Sequence, residues 1–295
     1  MSKTDTAESV VEGLDLGGKT ILITGVNSGL GMESMRVLTD CGATVIGAAR
    51  TLEKAGNACR EVGGDTTPLA CELSDLSSVA AAADRVLAEH DTLDVLLCNA
   101  GIMALPELNQ AHGLELQFLC NHIGHFLLIN KLLPLLRNAE QGRIVLVSSD
   151  AHKLTVKGGI DFDNLTGEQG YNDWKFYGQS KLANILTAVA LKKELAGTNI
   201  TSNALHPGVI KTNLSRNMVG LLSKVIGLLA GFVEKTVEQG AATQVYLAAH
   251  PDAAQYNGKY FADVELTAPT KFAEDEVLAQ RLWDVSNEII ADYLK

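Results

Sequence analysis

Apolar and polar positions change their period several times along this chain, and each change marks an element. Thr20 to Ile23 is a short apolar and β-branched run between Gly17-Gly18 and Gly25, the pattern of a central strand buried on both faces of a parallel sheet. Residues 30–41 return to helical spacing and stop at Gly42, and residues 43–48 are again continuously apolar. The alternation goes on through helix 52–62, closed by Gly63-Gly64, strand 66–71, and helix 75–90 with Ser74 or Asp75 as its cap. Strand 93–98, a long helix 112–137 whose last turn Pro134 bends, and strand 143–148 follow. A polar connection over 150–172 is long enough to suggest a function. Helix 173–195 and strand 199–205 come next, then an irregular stretch 207–236 with one apolar helix. Helix 237–249, a strand near 258–262 and a terminal helix over about 273–293 complete the chain. Strands alternating with helices predict a parallel sheet with helices on both faces. No repeat or break in composition divides the chain, so one domain over 17–295 is expected behind a mobile arm, residues 1–16.

Composition narrows the class. The 295 residues are 46% hydrophobic with six prolines, a globular chain able to bury a large core. The net charge of −11 and the absence of any Lys/Arg cluster argue against nucleic acid. Five cysteines, Cys41, Cys59, Cys71, Cys98 and Cys120, are scattered without a Cys-x-x-Cys pair. They read as small buried hydrophobes in a reducing compartment, with no metal site. The first sixteen residues are polar and acidic, unlike a signal peptide, and the apolar stretch Met218 to Val233 is interrupted by Ser223, Lys224 and glycines. A cytoplasmic protein without stable membrane insertion is expected, and a homo-oligomer stays open.

Candidate chemistry begins at Thr24-Gly25-x-x-x-Gly29-x-Gly31, placed between strand and helix with Asn27, Ser28 and Leu30 inside the turn. Such a turn presents backbone N–H groups and a helix N-terminus to an anion. Arg50 ends the second strand where a dinucleotide fold meets the adenosine ribose, and Lys54 follows one helical turn on. A planar guanidinium there suits a 2′-phosphate; two solvated surface cations are the plain alternative. Tyr177 and Lys181 lie four apart on one helix face. An ammonium and an oxidised nicotinamide nearby would favour the phenolate of a tyrosine whose ordinary pKa is about 10. Ser149 stands at a strand end where ligands of open α/β sheets bind, and Asn121 lies inside the long helix. Either alone is as readily a polar strand end or a satisfied helix asparagine.

The whole set, with Asn99-Ala100-Gly101, Asn121-His122-x-Gly124-His125-Phe126, Ser148-Ser149, Tyr177-x-x-x-Lys181 and His206-Pro207-Gly208, resembles the classical short-chain dehydrogenase/reductase family over roughly residues 17–290. Arg143 to His152, Ser180 to Asn184 and Arg281 to Ser286 are similar to its retinol dehydrogenase-like branch, which also holds relatives of protochlorophyllide reductase. The resemblance implies a single Rossmann-type doubly wound domain of class α/β with a mainly parallel, about seven-stranded sheet. It implies Tyr177 as general acid/base, Lys181 on the nicotinamide ribose, Ser149 orienting the carbonyl with Ser148 as fallback, and Asn121 anchoring a relay water. Glu72-Leu73 would face the adenine, where the family usually carries Asp-Leu, and Cys98 replaces the first residue of the usual Asn-Asn-Ala-Gly. Asn99, Ala100 and Gly101 would flank the cofactor, and Pro207, Gly208, Val209 and Thr212 would line its nicotinamide end. Histidines 122, 125, 152 and 206 lack a third metal-ligand partner at suitable spacing and are taken for packing and hydrogen bonding.

The expected activity is hydride transfer between NADP(H) and a hydrophobic alcohol or its ketone or aldehyde. The alternatives are a non-catalytic dinucleotide-binding sensor and a light-dependent carbon–carbon double-bond reductase. Residues 213–236, with Leu221, Leu222, Val225, Ile226, Leu228, Leu229 and Phe232 at helical spacing, are expected to form a substrate lid, against which stands a subunit interface.

Overall fold

In the computed structural model, which describes residues 4–210 and 235–295, strands and helices alternate as the periodicity requires. The strands are β1 (Thr20–Thr24), β2 (Thr44–Ala49), β3 (Thr66–Ala70), β4 (Val95–Cys98), β5 (Gln110–Ala111), β6 (Leu114–Glu115), β7 (Gly142–Val147), β8 (Ile200–His206), β9 (Lys259–Ala262) and β10 (Glu265–Leu266). The helices are α1 (Gly29–Asp40), α2 (Leu52–Val62), α3 (Leu76–Glu89), α4 (Leu116–Asn138), α5 (Asp173–Glu194), α6 (Val237–Ala249) and α7 (Glu276–Ile290).

The main sheet runs β10-β9-β8-β7-β4-β1-β2-β3, with every neighbouring pair parallel except β10 on β9. It is thus eight-stranded; the extra strand is two residues long and follows a tight turn at Asp263-Val264, where both residues have positive φ. No glycine announces that turn, so the pattern of hydrophobic positions could not show it. Alternation along β1 explains the layering. Leu22 joins a core with α3, α4, α5 and α7, whereas Ile21 and Ile23 join α1, α2 and α6 on the other face. The strand β1 lies between β4 and β2, and chain order reverses there, which opens a crevice at the carboxyl ends of β1 and β4.

Two expectations are corrected here. The arm is packed: Ala7, Val10, Val11 and Leu16 are buried in the core with α1 and α6, and the Ala7 N–H donates to Glu238 O at 2.8 Å. Apolar residues spaced along this short segment outweigh its acidic composition. The long helix starts at Leu116 and not at 112, because His112 and Gly113 take positive φ in the β5–β6 hairpin, and the Glu115 side chain caps the helix at Phe118 N. Residues Leu119–Ile123 of α4 form a π turn, a widening common at functional sites. Among the described residues α4 is the one helix long and apolar enough to cross a membrane, and 78% of its apolar window is buried inside the domain.

The connection after β7 contains short 3-10 turns at Asp150–Leu154 and Phe162–Asn164. The expected lid, residues 213–236, and Thr212 lie outside the described residues apart from Lys235 and Thr236. Ile210 pairs with Lys235, whose N–H donates to Val209 O at 3.0 Å, so the two described segments meet at this point. Lys235 also makes an ion pair with Asp263 at 2.5 Å.

Candidate active site

The turn after β1 has no room for side chains. Gly25 and Gly29 take φ of +77° and +58°. A Cβ on Gly31 would stand 2.3 Å from Gly25 O and 2.5 Å from Asn99 Nδ2, and one on Gly25 2.9 Å from Ala100 Cα. Glycine is therefore required for the turn to fold flat onto Asn99-Ala100. Ser28 occupies the N-cap of α1 without a side-chain cap bond, whereas Thr51, Asp75, Asn172, Thr236 and Asp275 cap α2, α3, α5, α6 and α7. Among the described residues the first-turn N–H groups of α1 thus keep no side-chain partner, the state in which such groups bind a phosphate. Asn27 is exposed beside them; Ser28 and Leu30 are half-buried.

Thr24 ties this turn to β4. Its Oγ1 accepts from the N–H groups of Asn99 and Ala100, both at 3.0 Å, and lies 2.9 Å from His125 Nε2. Asn99 Nδ2 donates to Thr24 O at 2.8 Å. Gln244 of α6, which sequence reasoning missed, donates to Ser34 Oγ (2.6 Å), Leu30 O (3.3 Å) and Asn99 Oδ1 (3.3 Å). Nothing in the apolar run around Gln244 signals this role.

At the adenosine end, Arg50 follows β2 with its side chain 61% exposed. Its Nε pairs with Glu72 Oε2 at 2.9 Å, while Glu72 Oε1 accepts from Ser74 N (3.1 Å) and Oγ (2.7 Å). The glutamate that replaces the expected aspartate therefore orients Arg50. Lys54 is exposed, and Leu73 is buried against Gly124 of α4. Pro207 is buried, and Gly208, at φ +99°, packs against the Lys235 side chain, followed by exposed Val209.

The four residues expected to do chemistry converge at the carboxyl ends of β4 and β7. The two serines are separated by what they bond. Ser148 is buried and its hydroxyl donates to Lys181 O at 2.7 Å, so it is spent on the backbone of α5. Ser149 is half-exposed; its Oγ accepts from Ala151 N at 3.2 Å, and it faces the Tyr177 hydroxyl closely enough to favour the phenolate. Gly178 makes that approach feasible, since a Cβ there would stand 2.5 Å from Ala151 O. Lys181 Nζ donates to Val147 O at 3.1 Å and lies 5.7 Å from the Tyr177 ring centroid. Gly101 admits both polar groups: its Cβ would meet Asn121 Oδ1 at 3.1 Å and Lys181 Nζ at 3.2 Å.

The Asn121 side chain is fully committed. Oδ1 accepts from Ile102 N at 2.8 Å, and Nδ2 donates to Ile102 O and Ser180 Oγ, both at 2.9 Å. Burial governs both titrating groups, pushing Tyr177 up to about 12, against the influence of Ser149, and Lys181 down to about 8. The expected depression of the tyrosine is therefore not a property of the protein alone, because desolvation outweighs the influence of Ser149. Trp174, half-buried and edge-on to Tyr177 at 6.2 Å, was not anticipated.

Comparison with known proteins agrees with this arrangement. The profile of the family described as short chain dehydrogenase matches residues 19–220. A "Short-chain dehydrogenase TIC 32 A, chloroplastic" from Brassica napus is 43% identical over 97% of this chain and 92% of its own. Human "Retinol dehydrogenase 14" is 42% identical over 94% of this chain and 88% of its own. A crystal structure of an uncharacterized protein from Mycobacterium paratuberculosis superposes with a TM-score of 0.78 at 31% identity, covering 96% of this chain and 97% of that one.

Proposed function

We propose that this chain, which belongs to the short-chain dehydrogenase family of oxidoreductases, uses NADP(H) to interconvert a hydrophobic alcohol and its ketone or aldehyde. The observation that carries the reading is the convergence of Ser149, Tyr177 and Lys181, with the Lys181 ammonium 5.7 Å from the tyrosine ring centroid, at the carboxyl edge of the sheet. A tyrosine held near 12 is protonated throughout the neutral range, which is the form that gives a proton to a carbonyl oxygen. Ser149, the second donor at that oxygen, would align it.

The residues present fit a nicotinamide dinucleotide. The flat glycine turn and uncapped α1 suit its pyrophosphate, and Asn99 to Gly101 its central ribose wall. Arg50, held through Nε, leaves its terminal fork for a 2′-phosphate, with Lys54 adding charge. When bound, the nicotinamide supplies or accepts the hydride. Lys181 would hold the adjoining ribose and Tyr177 would move the proton. Trp174 beside Tyr177, and exposed Leu154 and Val209 on the segments after Ser149 and His206, would favour a hydrophobic substrate.

The test is a cofactor-consumption screen with NADPH and NADH over short and long aliphatic aldehydes, ketones, steroids and retinaldehyde. Turnover with NADPH that rises with apolar size supports the proposal. Preference for NADH, or NADPH binding without reduction of any carbonyl, rejects it.

A further inference from the structure

Two buried histidines hold the backbone of two site residues in the same way. His125, on α4, is 1% exposed, and its Nδ1 lies 3.1 Å from Asn121 O. A carbonyl can only accept, so Nδ1 carries the proton and Nε2 is the acceptor. The Thr24 hydroxyl already accepts two N–H groups, so its proton points to His125 Nε2 at 2.9 Å and not to Leu97 O at 3.5 Å. His152, in the turn after Ser149, is 0% exposed, and its Nδ1 lies 2.7 Å from Ser149 O. Its Nε2 accepts the Thr270 N–H at 3.2 Å, and its ring stands edge-on to Tyr260 at 5.1 Å. In both cases Nδ1–H clamps a carbonyl and Nε2 takes a donor from a distant segment. Burial lowers both pKa values, His125 to about 4, which keeps each imidazole in this neutral form.

The consequence reaches the reacting atoms. The Thr24–His125–Asn121 chain continues through the Asn121 amide to Ile102 and returns along Gly101, Ala100 and Asn99 to Thr24, a closed ring joining β1, β4 and α4. Gly101, against Lys181 Nζ, is part of it. The His152 bond fixes the peptide that carries the Ser149 hydroxyl beside Tyr177. We propose that His125 and His152 are positioning residues that set the backbone of Asn121 and Ser149, and so hold Lys181 and the carbonyl-orienting hydroxyl in register with Tyr177. This rests on the reductase reading above.

The test exploits side-chain reach. Asparagine places its amide nitrogen where imidazole Nδ1 stands, as Asn130 of α4 shows by donating to Phe126 O at 2.8 Å. Glutamine reaches the Nε2 position instead. His125→Asn, His125→Gln, His152→Asn and His152→Gln are assayed for NADPH-dependent reduction of decanal, with NADPH affinity from fluorescence titration and melting temperature measured alongside. The Asn variants should retain kcat within about threefold. The Gln variants should lose about tenfold to a hundredfold in kcat, as misplacement near a reacting centre does, while NADPH affinity and KM hold within about threefold. A packing role would instead make kcat follow melting temperature regardless of which nitrogen is replaced. Equal kcat for Asn and Gln variants, or wild-type kcat in all of them, overturns the proposal. Tyr177→Phe in the same assay separates the two readings: if it stays active, the reductase mechanism itself has failed.

Discussion

A tyrosine pushed up to about 12 should make the two directions of the reaction respond oppositely to pH. The displacement from the ordinary value of about 10 corresponds to about 2.7 kcal/mol in favour of the neutral phenol. At pH 7 only about one molecule in 10⁵ of the free protein carries the phenolate. Reduction needs the phenol, which is present below the tyrosine's pKa and lost above it. Oxidation needs the phenolate, so kcat/KM for an alcohol should rise about tenfold per pH unit until the group titrates. Bound oxidised nicotinamide and the Lys181 ammonium would bring that point down, but Lys181 itself loses its charge near 8. Ser149→Ala deletes the hydroxyl that lowers the tyrosine. A hydrogen bond to a charged group contributes about 1.5 kcal/mol, so the oxidation limb should shift up by about one pH unit. Steady-state kcat/KM in both directions between about pH 6 and pH 10, with ultraviolet titration of tyrosinate in wild type minus Tyr177→Phe, measures all of this. An oxidation rate independent of pH, or a Tyr177 that titrates below about 10 in the free protein, would refute the reasoning.

Three further outcomes are expected. Gly31→Ala, with a Cβ 2.3 Å from Gly25 O, should weaken NADPH binding by at least about tenfold in a fluorescence titration; unchanged affinity would remove the turn from the cofactor site. Arg50→Ala should cost about 1.5–3 kcal/mol of NADPH affinity and leave NADH nearly unaffected, since only the former carries the phosphate; an equal loss for both would mean that the arginine serves only its ion pair with Glu72. Thr24→Val keeps the shape but leaves the N–H groups of Asn99 and Ala100 and the Nε2 of His125 without their partner, so denaturant unfolding should show a loss of about 1–3 kcal/mol or more. A smaller change would mean that water replaces the hydroxyl.

What could be read from the sequence follows from how local each signal is. The turn at Gly25, Gly29 and Gly31 lies between two adjacent elements, and Tyr177 and Lys181 share one helix, so spacing alone brings those residues together. Ser149 stands at the end of a strand, but it was the family resemblance that set it above Ser148. The residues that escaped are joined over long separations. Gln244 reaches Asn99 across 145 residues, and Thr24 reaches His125 across 101. No periodicity encodes such pairs, and an imidazole in an apolar helix looks the same whether it clamps a carbonyl or only packs. The π turn around Asn121 is likewise invisible, because its apolar spacing continues that of the helix on either side. The packed arm was misread because composition dominated, although Ala7, Val10 and Val11 carry the helical spacing that buries it. Glu72 was placed at the adenine, and its ion pair with Arg50, a contact between two strand ends, was not foreseen.

The most direct test of the account is single-turnover oxidation of bound NADPH by decanal or retinaldehyde, comparing wild type with Tyr177→Phe. NADPH affinity is checked first by fluorescence, because the substitution removes one hydroxyl and keeps the buried ring. The account predicts equal cofactor affinity and a hydride-transfer rate lower by about 10²–10⁴-fold in the variant. A variant that binds NADPH and reduces the aldehyde at the wild-type rate would contradict it.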